Sequence, residues 1–277
     1  MKKTKLIISL LFIGALAVLF SCKKEQLTTK ERICCIDLLF ENSKVEEVAK
    51  DVNSDDYDAV KTFFKEHPNV GVDTKSPYTG FTLLQISSSR HKYQAAKALL
   101  ESGADPNLEE MEKGNSTGSS FTAILWSRDT TFIKLYINHG ADVNKISKLK
   151  STHDRTPLIR ACSEDLNSVK FLIKYGADPH AIYNKYESPL NAALQSANIF
   201  IVNYLIFDLK VDYKKPYFYD QSITWSLRDM AYPLNSEKHR QKMKLVKFLK
   251  ENGIDYYAEP IPERFHELFD EDYLSKY

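Results

Sequence analysis

The side chains that could do acid–base, nucleophilic or metal chemistry are spread thinly along this chain. The seven histidines (His67, His91, His139, His153, His180, His239 and His266) are scattered, with no Cys or second His at metal-ligand spacing. His139 and His180 lie beside expected helix ends, where an imidazolium interacts well with the helix dipole. The acidic runs Glu109-Glu110 with Glu112, and Glu267 with Asp270-Glu271-Asp272, lack the D-x-D-x-D-G order of a calcium loop and read as solvated surface. No G-x-S-x-G, glycine-rich phosphate loop, H-E-x-x-H or C-x-x-C is present. The cysteines are Cys22, Cys34, Cys35 and Cys162. Adjacent cysteines rarely pair, so these read first as small buried side chains, with a bridge from Cys162 to Cys34 or Cys35 as the alternative. No catalytic residue, metal site or cofactor is expected, and the chain is not read as an enzyme.

What the sequence does repeat is architectural. Gly-Ala-Asp occurs at 103–105, 140–142 and 176–178, with worn copies at Gly71-Val72-Asp73, Lys210-Val211-Asp212 and Gly253-Ile254-Asp255. The six aspartates are 32, 37, 36, 34 and 43 residues apart, the period of a stacked-repeat protein. Before each intact copy runs an apolar stripe at helical spacing: Ala96, Leu99 and Leu100; Ile133, Tyr136 and Ile137; Val169, Leu172 and Ile173. The glycine that follows fits a left-handed helix stop. Thr156-Pro157 and Ser188-Pro189 open a second helical stretch, with a hydroxyl as N-cap and proline at the first helical position. Thr82, Thr122 and Ser226 are expected in the same place, with Ser87, Ser127, Ala161, Ala193 and Ala231 five residues on, small enough for close helix approach.

This unit resembles the ankyrin repeat, whose motif runs T-P-L-H-x-A and ends G-A-D-x-N; the nearest local matches are Thr156–Ala161, Gly140–Asn144 and Gly103–Asn107. The resemblance covers roughly Lys44 to Tyr257 and implies an all-α ankyrin-repeat solenoid of about six helix-turn-helix repeats with atypical terminal caps. The motif histidine, which in the family bonds between loops, is replaced throughout (Gln85, Leu125, Ile159, Asn191, Asp229), and the loop glycine survives only at Gly80. Glu109 to Ser120 reads as a flexible polar insertion. Pro260 to Tyr277, with Phe265, Leu268, Phe269, Tyr273 and Leu274 at helical spacing, reads as one amphipathic capping helix.

The N-terminus carries a second signal. Lys2, Lys3 and Lys5 precede the apolar run Leu6 to Phe20, too short to span a bilayer but suited to secretion. Leu19-Phe20-Ser21-Cys22 resembles the lipobox of bacterial lipoproteins, which implies cleavage before Cys22 and lipid attachment there, with the outer membrane favoured because Lys23 follows. The expected organisation is 1–21 signal peptide; 22–43 lipid-attachment cysteine, linker and N-terminal helical segment; 44–258 ankyrin-repeat domain; 259–277 capping helix. Loss of residues 1–21 takes 38 bases to 35 against 37 acids, so the charge changes from +1 to −2 and no field for nucleic acid results.

In the ankyrin family, partners touch the loop tips and the exposed side of each repeat's first helix. The candidate partner-binding residues are therefore Phe81, Phe121, Trp126, Arg155, Tyr186, Tyr217, Tyr219 and Trp225, aromatics and arginine being the side chains that dominate interface energetics. Lys145, Lys148, Lys150, His153 and Arg155 make one loop basic; Tyr213, Tyr217, Phe218, Tyr219 and Trp225 make another aromatic. The expected function is a protein-binding module tethered in a bacterial envelope, a monomer acting on another protein as a scaffold or as an inhibitor or immunity protein. The alternatives are an envelope enzyme built on Asp220 and Asp229 near the aromatic loop, and a structural envelope component.

Overall fold

The computed structural model describes residues 36–112, 115–147, 156–183, 187–215 and 221–277. After a short helix α1 (Ile36–Leu39), the chain forms six antiparallel helix pairs. They are α2 (Glu46–Ser54) with α3 (Tyr57–Glu66), α4 (Leu83–Ser89) with α5 (Tyr93–Glu101), and α6 (Ser120–Ile124) with α7 (Thr130–Asn138). Then come α8 (Pro157–Cys162) with α9 (Leu166–Lys174), α10 (Pro189–Gln195) with α11 (Ile199–Asn203), and α12 (Ile223–Arg228) with α13 (Glu237–Glu251). The first helix of each pair packs on the first helix of the next, and second packs on second, from one end of the stack to the other. A single apolar core runs through all six pairs, from Ile36 to Tyr256. This is the ankyrin-type stack that the 3.6-period stripes predict.

Side-chain caps open five of the six helices in each column, hydroxyls in the first column and mostly Asp or Asn in the second, while α2 and α5 start on Val45 and Lys92 without one. First helices are capped by hydroxyls: Thr82, Ser119, Thr156, Ser188 and Ser222 each accept from the backbone N–H three residues on. Second helices start on Asp56, Asp129, Asp165, Asn198 and Ser236. Two expected caps were displaced: Ser119 and Ser222 hold the positions assigned to Thr122 and Ser226. Both segments are rich in hydroxyls, and the register that wins is the one that turns Ile124 and Leu227 into the core.

Four of the six second helices end where a glycine turns the chain left-handed; α3 ends instead at His67, with φ −118°, and Gly71 does not take the left-handed turn. Gly103, Gly140, Gly176 and Gly253 have φ of 95°, 87°, 89° and 80°. At the intact copies the next N–H reaches back five residues, as from Ala141 to Tyr136 O at 3.0 Å, while the glycine N–H bonds Ile137 O at 3.1 Å. The fifth repeat does this with Lys210, at φ 57°. There α11 runs on into a π-helical turn, Tyr204–Asp208, and Val211 N–H reaches back six residues, to Leu205 O at 3.0 Å. One extra residue has been absorbed by widening the last turn.

The solenoid is not purely α-helical. Residues Glu109–Glu112 (β1) and Asn115–Ser119 (β2) pair antiparallel with an irregularity between Glu110 and Met111, where a flexible insertion was expected. The C-terminal segment likewise is two helices, α14 (Glu263–Leu268) and α15 (Glu271–Lys276), broken at Phe269, where Asp270 caps the second. Cys162 is buried in α8 and free, its thiol pushed up by burial; Cys34 and Cys35 lie outside the described residues.

The left-handed stops yield a prediction of opposite signs. A Cβ on Gly140 would meet nothing within 4 Å, so Gly140→Ala costs only backbone strain, about 1 kcal/mol. Lys210→Gly relieves the same strain and is expected to stabilise by somewhat less, because it loses the Lys210 Nζ bond to Phe207 O at 2.6 Å. Thermal melting should show shifts of about 2–4 °C, downward for the first and upward for the second.

Candidate functional site

The edge of the stack that carries the inter-repeat loops is built from the residues that follow each stop. The motif aspartate folds its own loop: Asp105, Asp142, Asp178, Asp212 and Asp255 each accept from the N–H two residues on, at 2.8–2.9 Å. The motif asparagine ties one loop to the next. Asn107 Nδ2 donates to Gly140 O at 2.8 Å while its Oδ1 accepts from Asp142 N–H at 2.8 Å. Asn144 repeats the pair on Gly176 O at 2.9 Å and Asp178 N–H at 3.0 Å. At the near end, Asp73 takes the rung by accepting from Asp105 N–H at 3.1 Å. Burial holds the Asp73 carboxyl above its ordinary range and the Asp105 carboxylate adds to that, while the N–H bond opposes both. At the far end His180 stands where the next asparagine would be, and among the described residues no ring contact carries the rung on to Asp212.

Short arms extend from this ladder. Lys75 pairs with Thr82, and Tyr183 with Glu187 through two backbone bonds of 2.7 and 2.8 Å. Gln85, at the place of the motif histidine, does a comparable job: its Oε1 accepts from Thr82 N–H at 2.7 Å and its Nε2 donates to Leu108 O at 3.0 Å, bridging two repeats. Amide geometry thus replaces imidazole at the loop base.

Of the residues named from sequence, Phe81 lies one position before the Thr82 cap, half-buried against the core. Phe121 is not a surface residue. It lies inside α6, 1% exposed and stacked on Tyr136 at 6.1 Å, because the cap sits at Ser119 rather than Thr122. Trp225 is 42% exposed, but it belongs to α12, three residues past its Ser222 cap, not to the loop tip. Trp126 falls in the 3₁₀ turn Leu125–Ser127; its side chain lies outside the described residues, as do Cys22, Arg155, Tyr186, Tyr217 and Tyr219. Lys148, Lys150 and His153 of the basic loop lie outside them too, and Lys145 donates to Asn107 O, bracing the ladder. From the aromatic loop Tyr213 packs on Phe248 with ring centroids 5.5 Å apart, a core contact.

Two tip residues escaped notice in the sequence. Ile146 and Ile182 stand four positions after Asp142 and Asp178 and are among the exposed large apolar side chains, with Tyr78 and Trp225. Their signal was present: an isoleucine at the same offset in successive repeats, outside both helical stripes.

The acids of the alternative enzyme site do not converge in the described structure. Asp229 is engaged by Arg264, and Asp220 lies outside the described residues. Among the described residues no group of three or more His, Cys, Asp or Glu could hold a metal ion, and no helix is long and apolar enough to cross a membrane.

Comparison with known proteins agrees with this geometry. The ankyrin-repeat family model, described as ankyrin repeats in three copies, matches residues 120–216. The ankyrin repeat and KH domain-containing protein mask-1 of Caenorhabditis elegans is 26% identical over 133 residues, 48% of this chain and 5% of that protein, so the chain spans a small fraction of this relative's length. The crystal structure of the ankyrin repeat domain of Bcl-3, described as a unique member of the IkappaB protein family, superposes with a TM-score of 0.56. It shares 18% identity, over 74% of this chain and 84% of that one.

The ladder generates its own test. Asn144→Ala removes two inter-loop bonds and should cost about 1–2 kcal/mol. Amide exchange should quicken at Asp178 while Asp142, held by Asn107, stays protected. The chain folds as an ankyrin-repeat solenoid, with its central residues 120–216 matched as ankyrin repeats.

Proposed function

We propose that this chain is a protein-binding module, held in a bacterial envelope by lipid on Cys22, that grips a partner along the loop edge and the exposed side of its first helices. The observation that supports this best is the exposure of Ile146 and Ile182 at matched positions on loops tied together by Asn144. Apolar side chains held on a preformed edge lose little conformational freedom on binding. Phe81, Tyr78 and Trp225 extend the same reading toward either end. The partner is another protein, and an inhibitor or immunity role, in which the edge masks a toxin, is the sharper form of the proposal.

Two measurements test it. Radioactive palmitate should label the wild-type chain in a lipoprotein-processing bacterium and fail to label Cys22→Ala; equal labelling removes the anchor. In cells, crosslinking should recover a defined protein with the wild type, and Ile146→Asp with Ile182→Asp should lower recovery at least tenfold without changing the melting temperature. Unchanged recovery places the interface elsewhere.

A further inference from the structure

The column of second helices carries a charge pattern that binding at the loop edge does not use. These helices stack in order, α5 on α7, α7 on α9, α9 on α11 and α11 on α13. Neither α7 nor α9 contains an acidic residue, and their exposed cations are Lys134, Lys170 and Lys174. On α13 the exposed face adds Lys244, Lys247 and Lys250. Lys247 sits 4.0 Å from Glu251, one turn on; the other five have no ion-pair partner among the described residues. Nearer the start of the stack the pattern differs, because Lys61 and Lys97 both flank Glu101, at 3.7 and 3.9 Å.

Between α9 and α13 the column supplies rings. The π-helical turn that ends α11 presents Tyr204 and Phe207, both half-buried. Lys170 reaches over the Tyr204 ring from one side, 5.4 Å from its centroid, and Lys244 over the Phe207 ring from the other, at 4.8 Å. Phe248 of α13 meets Phe207 edge to face at 5.1 Å. Lysine stems thus lie on an aromatic floor while their ammonium groups stay in water. The exposed acids of α11 and α13 are Asp208, and Glu237 and Glu251, the latter two answering Arg240 and Lys247 of their own helix. The Asp129 and Asp165 carboxylates are given to backbone N–H groups at the starts of α7 and α9.

We propose that this outer face, the lysines of α7, α9 and α13 around the rings of α11, lies on an anionic phospholipid surface and leaves the loop edge free for the partner. Six lysines spread over three helices are mobile point charges, suited to a field of interchangeable headgroups. A single defined carboxylate or phosphate is better matched by the arginine fork, and the one arginine on these helices, Arg240, is held by Glu237. Half-buried rings beneath the ammonium groups suit the boundary between headgroups and acyl chains. The geometry of approach rests on the reading of Cys22 as a lipid anchor; the charge of the face does not. Residues 23–35 separate that anchor from Ile36, so α1 starts no further than about 50 Å from the bilayer. Within that reach a weak contact of the face with headgroups becomes intramolecular.

The test uses residues 22–277 with Cys22→Ser, which keep every described helix and carry no lipid. A failed palmitate label would therefore remove the tether without touching this result. Vesicles of phosphatidylcholine mixed with phosphatidylglycerol should bind this chain at least tenfold more tightly than vesicles of phosphatidylcholine alone, and high salt should abolish the difference. Lys134→Glu, Lys170→Glu and Lys244→Glu together should weaken binding about a hundredfold with no change in melting temperature. Lys44→Glu, Lys50→Glu and Lys75→Glu, an equal change of net charge away from this face, should have little effect. A reading without variants is amine labelling of the wild-type sequence: anionic vesicles should slow modification of Lys170 and Lys244 several-fold and leave Lys50 unchanged. Equal binding to neutral vesicles, equal loss in the two triple variants, or unprotected Lys170 and Lys244 would each overturn the proposal. Tighter retention on DNA or on polyglutamate at the same salt would overturn it as well, assigning the face to nucleic acid or to an acidic protein.

Discussion

The structure depends on one joint: the left-handed residue at the end of the second helix in five of the six repeats, followed by an aspartate that folds onto its own backbone. The left-handed step ends the helix by satisfying its last carbonyls, and the aspartate then aims the chain across to the next repeat. Because the joint recurs, the loops emerge in register. Because they emerge in register, one asparagine can bond the glycine carbonyl and the aspartate N–H of its neighbour together. Helix stacking alone would bury the oily stripes, but it would not fix the loops along an edge.

Where the joint varies, the departure is local. Lys210 adopts the glycine conformation, and a π-helical turn absorbs one additional residue before it. The sequence carried the sign of this: Val202, Leu205 and Ile206 stand one residue further from Lys210 than the matching stripe stands from Gly176. Among the described residues His180 supplies no rung at the fourth loop, and beyond it the stack is joined by its helices and by the core contact of Tyr213 with Phe248.

The C-terminal end solves a different problem. A repeat with no successor leaves its apolar face uncovered, and here Phe265 and Tyr277 lie buried against it. The cover is amphipathic at atomic scale. Tyrosine rings enclose Arg228 and Lys242, and main-chain oxygens take their hydrogens. Basic groups are thus buried at this end against aromatic faces and main-chain acceptors rather than against apolar side chains alone.

The sequence by itself determined the repeat, its period, the stops at Gly103, Gly140 and Gly176, and the proline-opened helices at Thr156 and Ser188. Each of these rests on a local backbone preference that needs no distant partner. It did not determine the register of the third and sixth repeats. There several hydroxyls could each cap a helix, and only packing of Ile124 and Leu227 into the core chose Ser119 and Ser222. That choice moved Phe121 inside and placed Trp225 on a helix, so the tip surface had to be read again from Ile146 and Ile182. The pairing of Lys242 with Tyr256 and Tyr277 was likewise invisible, since contacts between residues so far apart in the chain exist only once the tertiary structure has brought the end of the chain back onto the last repeat.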